Sequence, residues 1–461
     1  MHFTLRKPRL RRTAAFGAGC LVLLHGHCLA ATFTDDFSSD LDYLVNGVAG
    51  TIWDGVYFGA GEFQNTGVGG GGPGATLVCD ANITAPNTLT IESTGTAWEH
   101  ADDDGFFLFK IAPGDFSVQV RVVSPFDNSS YNTAGLMARV FDPGGDPFGG
   151  SEDYVSWTRF NQFGYANYLR NEVNGTAQQI NPGGFPNNNY WLRMDRVNGT
   201  NFLFYQKATS GGPWQLVSFP APVSGTVLRR ADFAGLPMQV GIIHATFAGQ
   251  LGVQFTDFSL TLSNAGPYAP TPGPATSLIL APGPNRTLSI AWAGGAGSSG
   301  STVVMWAGTN SLLKHIPVNG TTYAANASYG AGARLPGAGH YVVYSGAGNS
   351  VTVSNLALNV RYNVAVFTHA GSGDSISYNR TPPVAGITLP PNEVIGQASV
   401  DSSDVVVVFT ANPGKWYQLQ ATDTLNPPAW YDIGAEPVLA NSEGMVLVHI
   451  NGALAIQRFY R

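Results

Sequence analysis

Period-two alternation of apolar and polar side chains is the feature of this sequence that most constrains its fold. In the segment 190–207, Leu192 and Met194 alternate with aromatic and charged residues, and Asn198-Gly199 lies in the middle. Such a dipeptide tolerates positive φ and favours a tight hairpin turn. The segment 131–140 alternates in the same way, with Leu136 and Ala138 on one face and Arg139 on the other. The pattern predicts sheets with one dry and one wet face.

The composition agrees with an all-β chain. Beyond the first thirty residues, no segment sustains a 3.6-residue apolar period over the length of a helix. Short runs of Val, Thr, Tyr and Phe are interrupted by the 57 Gly and 29 Pro, and only 11% of residues are charged. Alternation with frequent turn residues is typical of extracellular β-sandwiches. We therefore expect an all-β protein.

At the segments 131–140 and 190–207 the chain resembles the concanavalin A-like lectin/glucanase superfamily, in its laminin-G-like jelly-roll branch. The resemblance implies a jelly-roll β-sandwich, which we assign to residues 31–265, with its first and last strands side by side. Two similar segments, 32–39 and 253–262, each carry Phe-Thr-Asp and bracket this domain. We expect Phe33 and Phe37 to pack near Phe255 and Phe258.

The first thirty residues have the pattern of a signal peptide. Five basic residues precede an apolar run at 14–24, and Cys28-Leu29-Ala30 has the small residues of a cleavage site. The run is shorter than the roughly 20 residues that span a bilayer. Sec and twin-arginine export both stay open, because Arg11-Arg12 stands ahead of the run. The pattern predicts a secreted or cell-surface protein with no transmembrane segment in the mature chain.

Charge and cysteine content exclude further classes. Removing residues 1–30 takes away five of the 23 Lys+Arg, leaving 18 against 30 Asp+Glu and a net charge of −12. A nucleic-acid partner needs a basic surface, so we expect none. Cys79 alone remains of the three cysteines, so no intrachain disulfide can form. The mature chain therefore depends on its apolar cores for stability.

Two further β units are expected after the head. Residues 266–276 are rich in proline and predict an extended linker. Residues 277–389 resemble a fibronectin type III (Ig-like) sandwich, with Trp292 as the core tryptophan and Leu356 and Tyr362 at the positions of its tyrosine corner. The departure from that family is a longer, glycine-rich segment between Gly294 and Gly348. Residues 390–461 resemble a small β module found at the ends of bacterial secreted proteins.

Aromatic and arginine side chains are the candidates for ligand binding. Sugar sites combine an aromatic face with planar polar groups, and a guanidinium bonds two hydroxyls at once. We expect one concave sheet face to carry Arg139, Trp157, Arg159, Tyr168, Arg170, Trp191, Arg193 and Asp195. The alternative is that Arg139, Arg193 and Asp195 form a charge ladder on a wet face, with Trp157 partly buried.

Catalytic signals are weak. The Glu-x-Asp-x-x-Glu string of the superfamily's glucanases does not occur in this sequence. A hydrolase remains an alternative if loop carboxylates meet, such as Glu99 with Glu152 or Asp153; retaining chemistry needs the pair about 5 Å apart. The histidines show no metal-ligand spacing, and His244 lies in an apolar strand as a core residue.

A structural calcium site is predicted where the terminal strands of the head meet. Asp35 and Asp36 lie on the first strand and Asp257 on the last. Calcium takes six to eight oxygen ligands and would relieve the repulsion between these carboxylates. Asp35 and Asp36 point to opposite faces of a strand, so only one of them can join Asp257 directly. The alternative is that the aspartates cap turns or are solvated.

Three functions are compatible with the sequence. The leading hypothesis is a secreted, non-enzymatic carbohydrate-binding or surface-adhesion protein with a polysaccharide or glycoconjugate as its partner. The second is a glycan-active hydrolase, and the third is a purely structural envelope protein.

Overall fold

The computed structural model describes residues 30–461 apart from several gaps, and all structural statements below refer to this part. The gaps are 60–74, 97, 100–101, 104, 124–131, 141–152, 162–164, 174–175, 183–189, 247–248, 264–265, 284, 336–338, 390–394, 402–403, 411–415, 423–430, 440–444, 451–458 and 461. The basic and apolar parts of the predicted signal peptide lie outside the described residues.

The head is built from short strands with almost no helix. Its elements are β1 (Ala31–Asp35), β2 (Leu41–Asp42), α1 (Tyr43–Asn46), β3 (Gly55–Phe58), β4 (Ala75–Ala81), β5 (Leu89–Thr94), β6 (Trp98–Glu99), β7 (Asp102–Asp103), β8 (Phe106–Ala112), β9 (Phe116–Val122), β10 (Asn132–Val140), β11 (Tyr154–Asn161), β12 (Tyr165–Val173), β13 (Thr176–Ile180), β14 (Trp191–Val197), β15 (Asn201–Lys207), β16 (Gln215–Leu216), β17 (Leu228–Arg229), a 3-10 turn (Ala231–Phe233), β18 (Met238–Thr246) and β19 (Gln250–Leu262).

These strands form two antiparallel sheets. The ten-stranded sheet has the order β16-β15-β14-β9-β19-β5-β4-β2, with β1 beside β19 and β17 beside β15. The seven-stranded sheet has the order β13-β12-β11-β10-β18-β8-β3. The expected pairing of the first and last strands is confirmed, because Phe33 lies opposite Leu260 and Asp35 opposite Phe258. Phe37, Phe255 and Phe258 are all buried in the core between the sheets.

The face of β10 that the sequence predicts to be exposed to solvent is buried. Leu136 and Ala138 face the core as expected, but Met137 is 0% and Arg139 only 2% exposed on the opposite face. A second aromatic cluster covers that outer face of the seven-stranded sheet, formed by Tyr57, Trp98, Phe107, Phe109, Ile111, Met137, Tyr154, Ile243, Ala245 and Val318. The apolar run Phe106–Phe109 of β8, a strand buried at every residue, was the sequence signal for a strand covered on both sides.

The hairpin from β14 to β15 forms where the sequence predicts it. Asn198 and Gly199 have φ of 54° and 71°, and the loop closes with Val197 opposite Asn201. The carboxylate of Asp115 accepts hydrogen bonds from both turn amides, at 2.8 Å and 2.7 Å. Positive φ at both positions is the conformation that Asn-Gly favours.

The second unit is an antiparallel sandwich of two sheets. Its elements are β20 (Thr276–Gly283), β21 (Thr287–Ala293), β22 (Gly300–Ala307), β23 (Tyr341–Gly346), β24 (Ser350–Val353), β25 (Arg361–Ala370), a 3-10 turn (Gly373–Ser375), β26 (Ser377–Tyr378) and β27 (Val384–Thr388). One sheet has the order β20-β21-β24; the other is β23-β22-β25-β26, with β27 beside β25. Two facing sheets, of three and five strands, form the sandwich that the fibronectin type III resemblance predicts.

The predicted tyrosine corner is present. The Tyr362 hydroxyl accepts a hydrogen bond of 2.8 Å from the Ala357 amide, five residues upstream. Leu356 and Trp292 are 2% and 5% exposed in the core of the same sandwich. The corner fixes the chain crossing between the two sheets.

The long segment between β22 and β23 packs against the head. Lys314 O accepts from Val56 N at 3.0 Å, Ile316 N donates to Asp54 O at 3.1 Å, and His315 bridges Gly55 in antiparallel fashion. Residues 313–316, which we call the docking segment, thus extend the seven-stranded sheet beyond β3. The segment that departs from the fibronectin pattern is therefore one of those that hold the two units together.

The docking is tight enough to require glycine. A Cβ on Gly55 would lie 2.3 Å from the Phe109 ring and 2.6 Å from His315 Nδ1. Real Cβ contacts of this length do not occur without displacement of the neighbours. A Cβ on Gly47, which has φ of 66°, would meet Leu313 O at 2.2 Å. Both glycines allow the docking segment to approach the head closely.

Arg380 of the second unit reaches into the head. Its Nε donates to Thr51 O at 2.9 Å, one terminal nitrogen donates to Trp53 O, and the other forms a 2.8 Å ion pair with Asp54. Asp54 also pairs with Lys110 at 3.2 Å. Burial lowers the pKa of Lys110 to about 8, although Asp54 opposes the shift.

Residues 266–276 do not run free of the second unit. Ala269 N donates to Ser375 O, Gly273 N donates to Ala296 O, and the Asn379 amide donates to Pro272 O, each at 2.8 Å. Tyr268 packs on the apolar cluster that the head shares with the second unit. The proline-rich segment is therefore part of the structure that joins the two units.

The C-terminal unit is also antiparallel β. Its strands are β28 (Ile395–Asp401), β29 (Asp404–Thr410), β30 (Trp416–Thr422), β31 (Tyr431–Leu439), β32 (Met445–Ile450) and β33 (Phe459–Tyr460). They form two sheets, ordered β28-β29-β32 and β31-β30-β33.

Candidate functional site

The eight residues predicted to share one ligand-binding face are divided among three surfaces. Trp157 and Arg159 point between the two sheets of the head. The outer face of the seven-stranded sheet carries Arg139, Tyr168 and Arg170. The outer face of the ten-stranded sheet carries Trp191, Arg193 and Asp195. The expectation of one shared concave face is therefore corrected.

Trp157 and Arg159 are core residues. Trp157 is 0% exposed, donates to Tyr205 O at 2.9 Å and packs on Phe204. Arg159 is 1% exposed, donates to Asn167 at 3.3 Å and lies 4.3 Å from the centre of the Tyr190 ring. Their predicted common face exists, but it is the face of β11 that meets the other sheet. Neither side chain is open to a polysaccharide.

On the outer face of the seven-stranded sheet, the predicted ligand residues expose little polar surface to solvent. Arg139 is 2% exposed, and Arg170 is 8% exposed and donates to Gln179 at 2.9 Å. Tyr168 accepts a hydrogen bond of 3.0 Å from Asn181 and packs edge-on against Phe160. These side chains have protein partners on a face that is largely covered.

The outer face of the ten-stranded sheet is different, because its aromatic and charged side chains are half-buried. On β14, Leu192 and Met194 face the core, so Trp191, Arg193 and Asp195 face outward. Four further residues join them from adjoining segments. We call the set of seven the cation–aromatic face: Arg121, Trp191, Arg193, Asp195, Tyr205, Lys207 and Trp214.

Cations and rings alternate across this face. Arg121 lies 4.5 Å from the Trp191 ring centre, and Lys207 lies 5.8 Å from the same ring. Lys207 also lies 4.7 Å from the ring of Trp214. Trp191 is 8% exposed beneath its two cations, whereas Trp214 is half-buried. Such contacts hold the rings and the cations in fixed positions.

Arg193 is oriented by its neighbour on the same strand. It donates two hydrogen bonds to Asp195, of 2.8 Å and 2.6 Å, and lies 4.8 Å from the Tyr205 ring. Hydrogen bonding to Asp195 raises the pKa of Arg193. The expected ladder through Arg139 does not form, since Arg139 lies on the other sheet. What forms is a bidentate pair within β14.

Arg121 has binding capacity to spare. Its Nε is buried and has no hydrogen-bond partner among the described residues. Four residues of this face were not predicted from the sequence: Arg121, Tyr205, Lys207 and Trp214. For Tyr205 and Lys207 the sequence did carry a signal. They alternate with the apolar Phe204, as Trp191 and Arg193 alternate with Leu192 on the preceding strand. Trp214 gave no periodic signal, because it lies outside a strand.

The three aspartates predicted to bind calcium have other partners. Asp35 accepts from Phe37 N at 2.9 Å and from the Trp53 indole at 3.0 Å. Asp36 accepts from the amide and the hydroxyl of Ser38, at 3.1 Å and 2.7 Å. These hydrogen bonds lower the pKa of Asp36.

Asp257 lies at an irregular point of β19, next to Phe258, which pairs with Asp35. It has φ of 56° at a bulge between Thr256 and Ser259, which breaks the register of β19. In the described part of the chain, no group of three or more His, Cys, Asp and Glu is placed to hold a metal ion. The calcium site at these three carboxylates stays a prediction.

The hydrolase alternative rests largely on residues outside the description. Glu152 and the side chain of Glu99 are not among the described residues. Asp153 forms a 3.0 Å ion pair with Arg230. His244 is a core residue as expected: it is 0% exposed, and its ring nitrogens bond Ser93 at 3.2 Å and Asn132 at 3.0 Å.

The fold and this face together define an all-β protein of several antiparallel sheets with an aromatic and cationic surface on its head. No family model and no curated protein sequence matches the chain. Among the described residues, no helix is long and apolar enough to cross a membrane.

Several solved structures show loose similarity. The FN1-FN3 domains of chicken CNTN1 are 13% identical, with a TM-score of 0.17 over 76% of this chain and 89% of that chain. The β-1,2-glucanase from Parabacteroides distasonis is 10% identical (TM-score 0.18; 76% of this chain, 39% of that). The Endo-D glycoside hydrolase domain Spr0440 from Streptococcus pneumoniae R6 is 9% identical (TM-score 0.15; 78% and 43%).

The chain spans less than half of the length of the two hydrolases. The TM-scores are too low to assign a family or an activity to this chain.

Proposed function

We propose that this chain is a secreted, non-enzymatic carbohydrate-binding or surface-adhesion protein whose head binds a polysaccharide or glycoconjugate. The observation that carries the proposal is the cation–aromatic face, where the half-buried rings of Tyr205 and Trp214 lie beside Arg193 and Lys207. The signal-peptide pattern and the net charge of −12 after its removal are consistent with an extracellular task.

The chemistry of this face suits a sugar ring. A pyranose presents an apolar face of C–H groups and a rim of hydroxyls, so it needs a flat ring and nearby polar groups. Tyr205 and Trp214 supply the flat surfaces. Arg193 already uses two of its N–H groups on Asp195, and that pair fixes the direction of the remaining ones. Rigid side chains lose little entropy on binding.

The sheet itself supports an elongated ligand. Successive outward positions along a strand are about 7 Å apart and neighbouring strands about 5 Å apart. Side chains from β9, β14 and β15 therefore form a broad surface that can contact more than one sugar residue. The resemblance to the laminin-G-like lectins supports the same ligand class, although one fold serves many functions.

The first prediction is that Tyr205→Ala with Trp214→Ala removes polysaccharide binding. A glycan array identifies the ligand of the mature chain, and retention on that glycan is then compared between parent and variant. The double variant should lose at least about 1.4 kcal/mol of binding free energy, which weakens binding about tenfold or more. The melting temperature should stay within about 3 °C, because both rings are partly exposed.

Tyr168→Ala is the matched control. Tyr168 is another half-buried tyrosine of the head, but it lies on the outer face of the seven-stranded sheet. It should bind like the parent. Binding lost in Tyr168→Ala and kept in the double variant would move the site to the other sheet. An array with no bound glycan would contradict the proposed function altogether.

A further inference from the structure

A cavity lies between the head and the second unit. It has a volume of about 290 Å³ and a mostly apolar lining. The head contributes Phe33, Ile52 and Leu262, the proline-rich segment contributes Tyr268, and the second unit contributes Val318. This volume is close to the lower end of the range for small-molecule sites in proteins.

One end of the cavity carries three charged groups. Asp54, Lys110 and Arg380 line it, with two cations against one carboxylate. Asp54 Oδ1 accepts from both cations, at 3.2 Å and 2.8 Å, and Oδ2 accepts from Ile111 N at 2.9 Å. Asp54 thus has its hydrogen bonds within the protein, and the side chains of the lining retain an excess of positive charge.

Hydrogen-bond donors remain unused at this end. Arg380 gives three hydrogen bonds, to Thr51 O, Trp53 O and Asp54, and a guanidinium has five N–H groups. Asn319 also lines the cavity; its side-chain oxygen accepts from Tyr378 N at 2.8 Å, and its amide NH₂ donates to no other described residue. Spare donors beside an uncompensated positive charge favour an anionic acceptor.

We propose that this cavity binds a small amphipathic carboxylate, with its apolar body between the two units and its carboxylate at Arg380 and Asn319. A carboxylate matches the excess positive charge of these side chains, and the apolar walls favour a hydrocarbon body over a sugar. Because both units line the cavity, the ligand stabilises their association. This site is separate from the cation–aromatic face.

The probe pair is 3-phenylpropionate and 3-phenylpropionamide, which have nearly the same shape and differ by one charge. Calorimetric titration of the mature chain should show the acid binding at least about tenfold tighter than the amide. The acid should also raise the melting temperature as its concentration increases. Equal affinity for acid and amide would overturn the assignment of the charged end, and binding of neither would overturn the proposal.

Two variants locate the ligand. Ala31→Phe fills the cavity and should abolish binding, whereas Thr32→Phe, on the exposed side of the same strand, should bind like the parent.

Asn319→Asp keeps an oxygen for Tyr378 N but replaces the spare donor with a negative charge. It should lose affinity for the acid and keep any affinity for the amide. Parental affinity for the acid in Ala31→Phe, or in Asn319→Asp, would place the ligand elsewhere.

Discussion

Single buried residues show how burial and local partners set the chemistry of this protein. His244 is enclosed in the head, where Ser93 and Asn132 bond its two nitrogens. Burial lowers its pKa to about 3 from an ordinary value near 6.5. Loss of contact with water disfavours the charged imidazolium. The side chain therefore remains neutral in the folded head under mildly acidic conditions.

This burial predicts loss of stability in acid. Between pH 6.5 and about 3 the unfolded chain binds a proton at His244 that the folded chain does not, so stability falls as the pH falls. Between pH 7.5 and 4.5 the contribution of His244 to this loss should be about 3 kcal/mol, measured by urea unfolding. The side chain of Gln cannot titrate. Over the same pH interval the free energy of unfolding of His244→Gln should therefore fall by about 3 kcal/mol less than that of the parent. Equal losses in parent and variant would contradict the assignment.

Among the elements, the docking segment has the clearest structural role. A typical fibronectin type III unit joins these strands by a shorter connection, and here the longer segment 308–340 carries residues 313–316 to the edge of the head. Backbone hydrogen bonds to β3 satisfy groups that an edge strand otherwise exposes. The same residues bring His315 against Tyr57 and Phe109, with ring centres 5.1 Å and 6.1 Å apart.

Gly55→Ala is predicted to disturb this docking. Its Cβ would overlap the Phe109 ring and His315, and such overpacking costs about 1–3 kcal/mol. Hydrogen exchange at Val56 and Ile316 should accelerate, because their amides donate across the junction. Gly211→Ala is the control, since nothing lies within 4 Å of its Cβ. Unchanged exchange in Gly55→Ala would show that the junction tolerates the methyl group.

At the scale of the whole molecule, the head and the second unit are joined by a shared apolar cluster. Leu313, Ile316 and Trp306 belong to the same buried cluster as Val48 and Trp53 of the head. The proline-rich segment 266–276 contributes through Tyr268. The head nevertheless has a complete two-sheet core of its own.

The isolated head, residues 31–265, should therefore fold but be less stable than the fragment 31–389. Loss of several buried apolar contacts and of the Arg380 bonds should lower its melting temperature by at least about 5 °C. Circular dichroism and calorimetry of the two fragments give the comparison. The same melting temperature for the head transition in both would mean that the junction adds no stability, and an unfolded 31–265 would mean that the boundary is misplaced.

The sequence by itself determined the elements that depend on local rules. Alternation located the strands of the hairpin and of β10, and Asn198-Gly199 located a turn, because side-chain period and φ preference act within a few residues. The spacing of Leu356 and Tyr362 likewise predicted the tyrosine corner.

Only the tertiary structure decided which face of each strand is open. Alternation divides side chains into two sets but does not say which set meets another layer. Trp157 and Arg159 face inward, Arg139 is covered, and Trp191, Arg193 and Asp195 are the predicted ligands that lie on the outer face of the ten-stranded sheet. Trp214, the docking segment and the cavity at Arg380 depend on contacts between residues far apart in sequence, where no local period carries information.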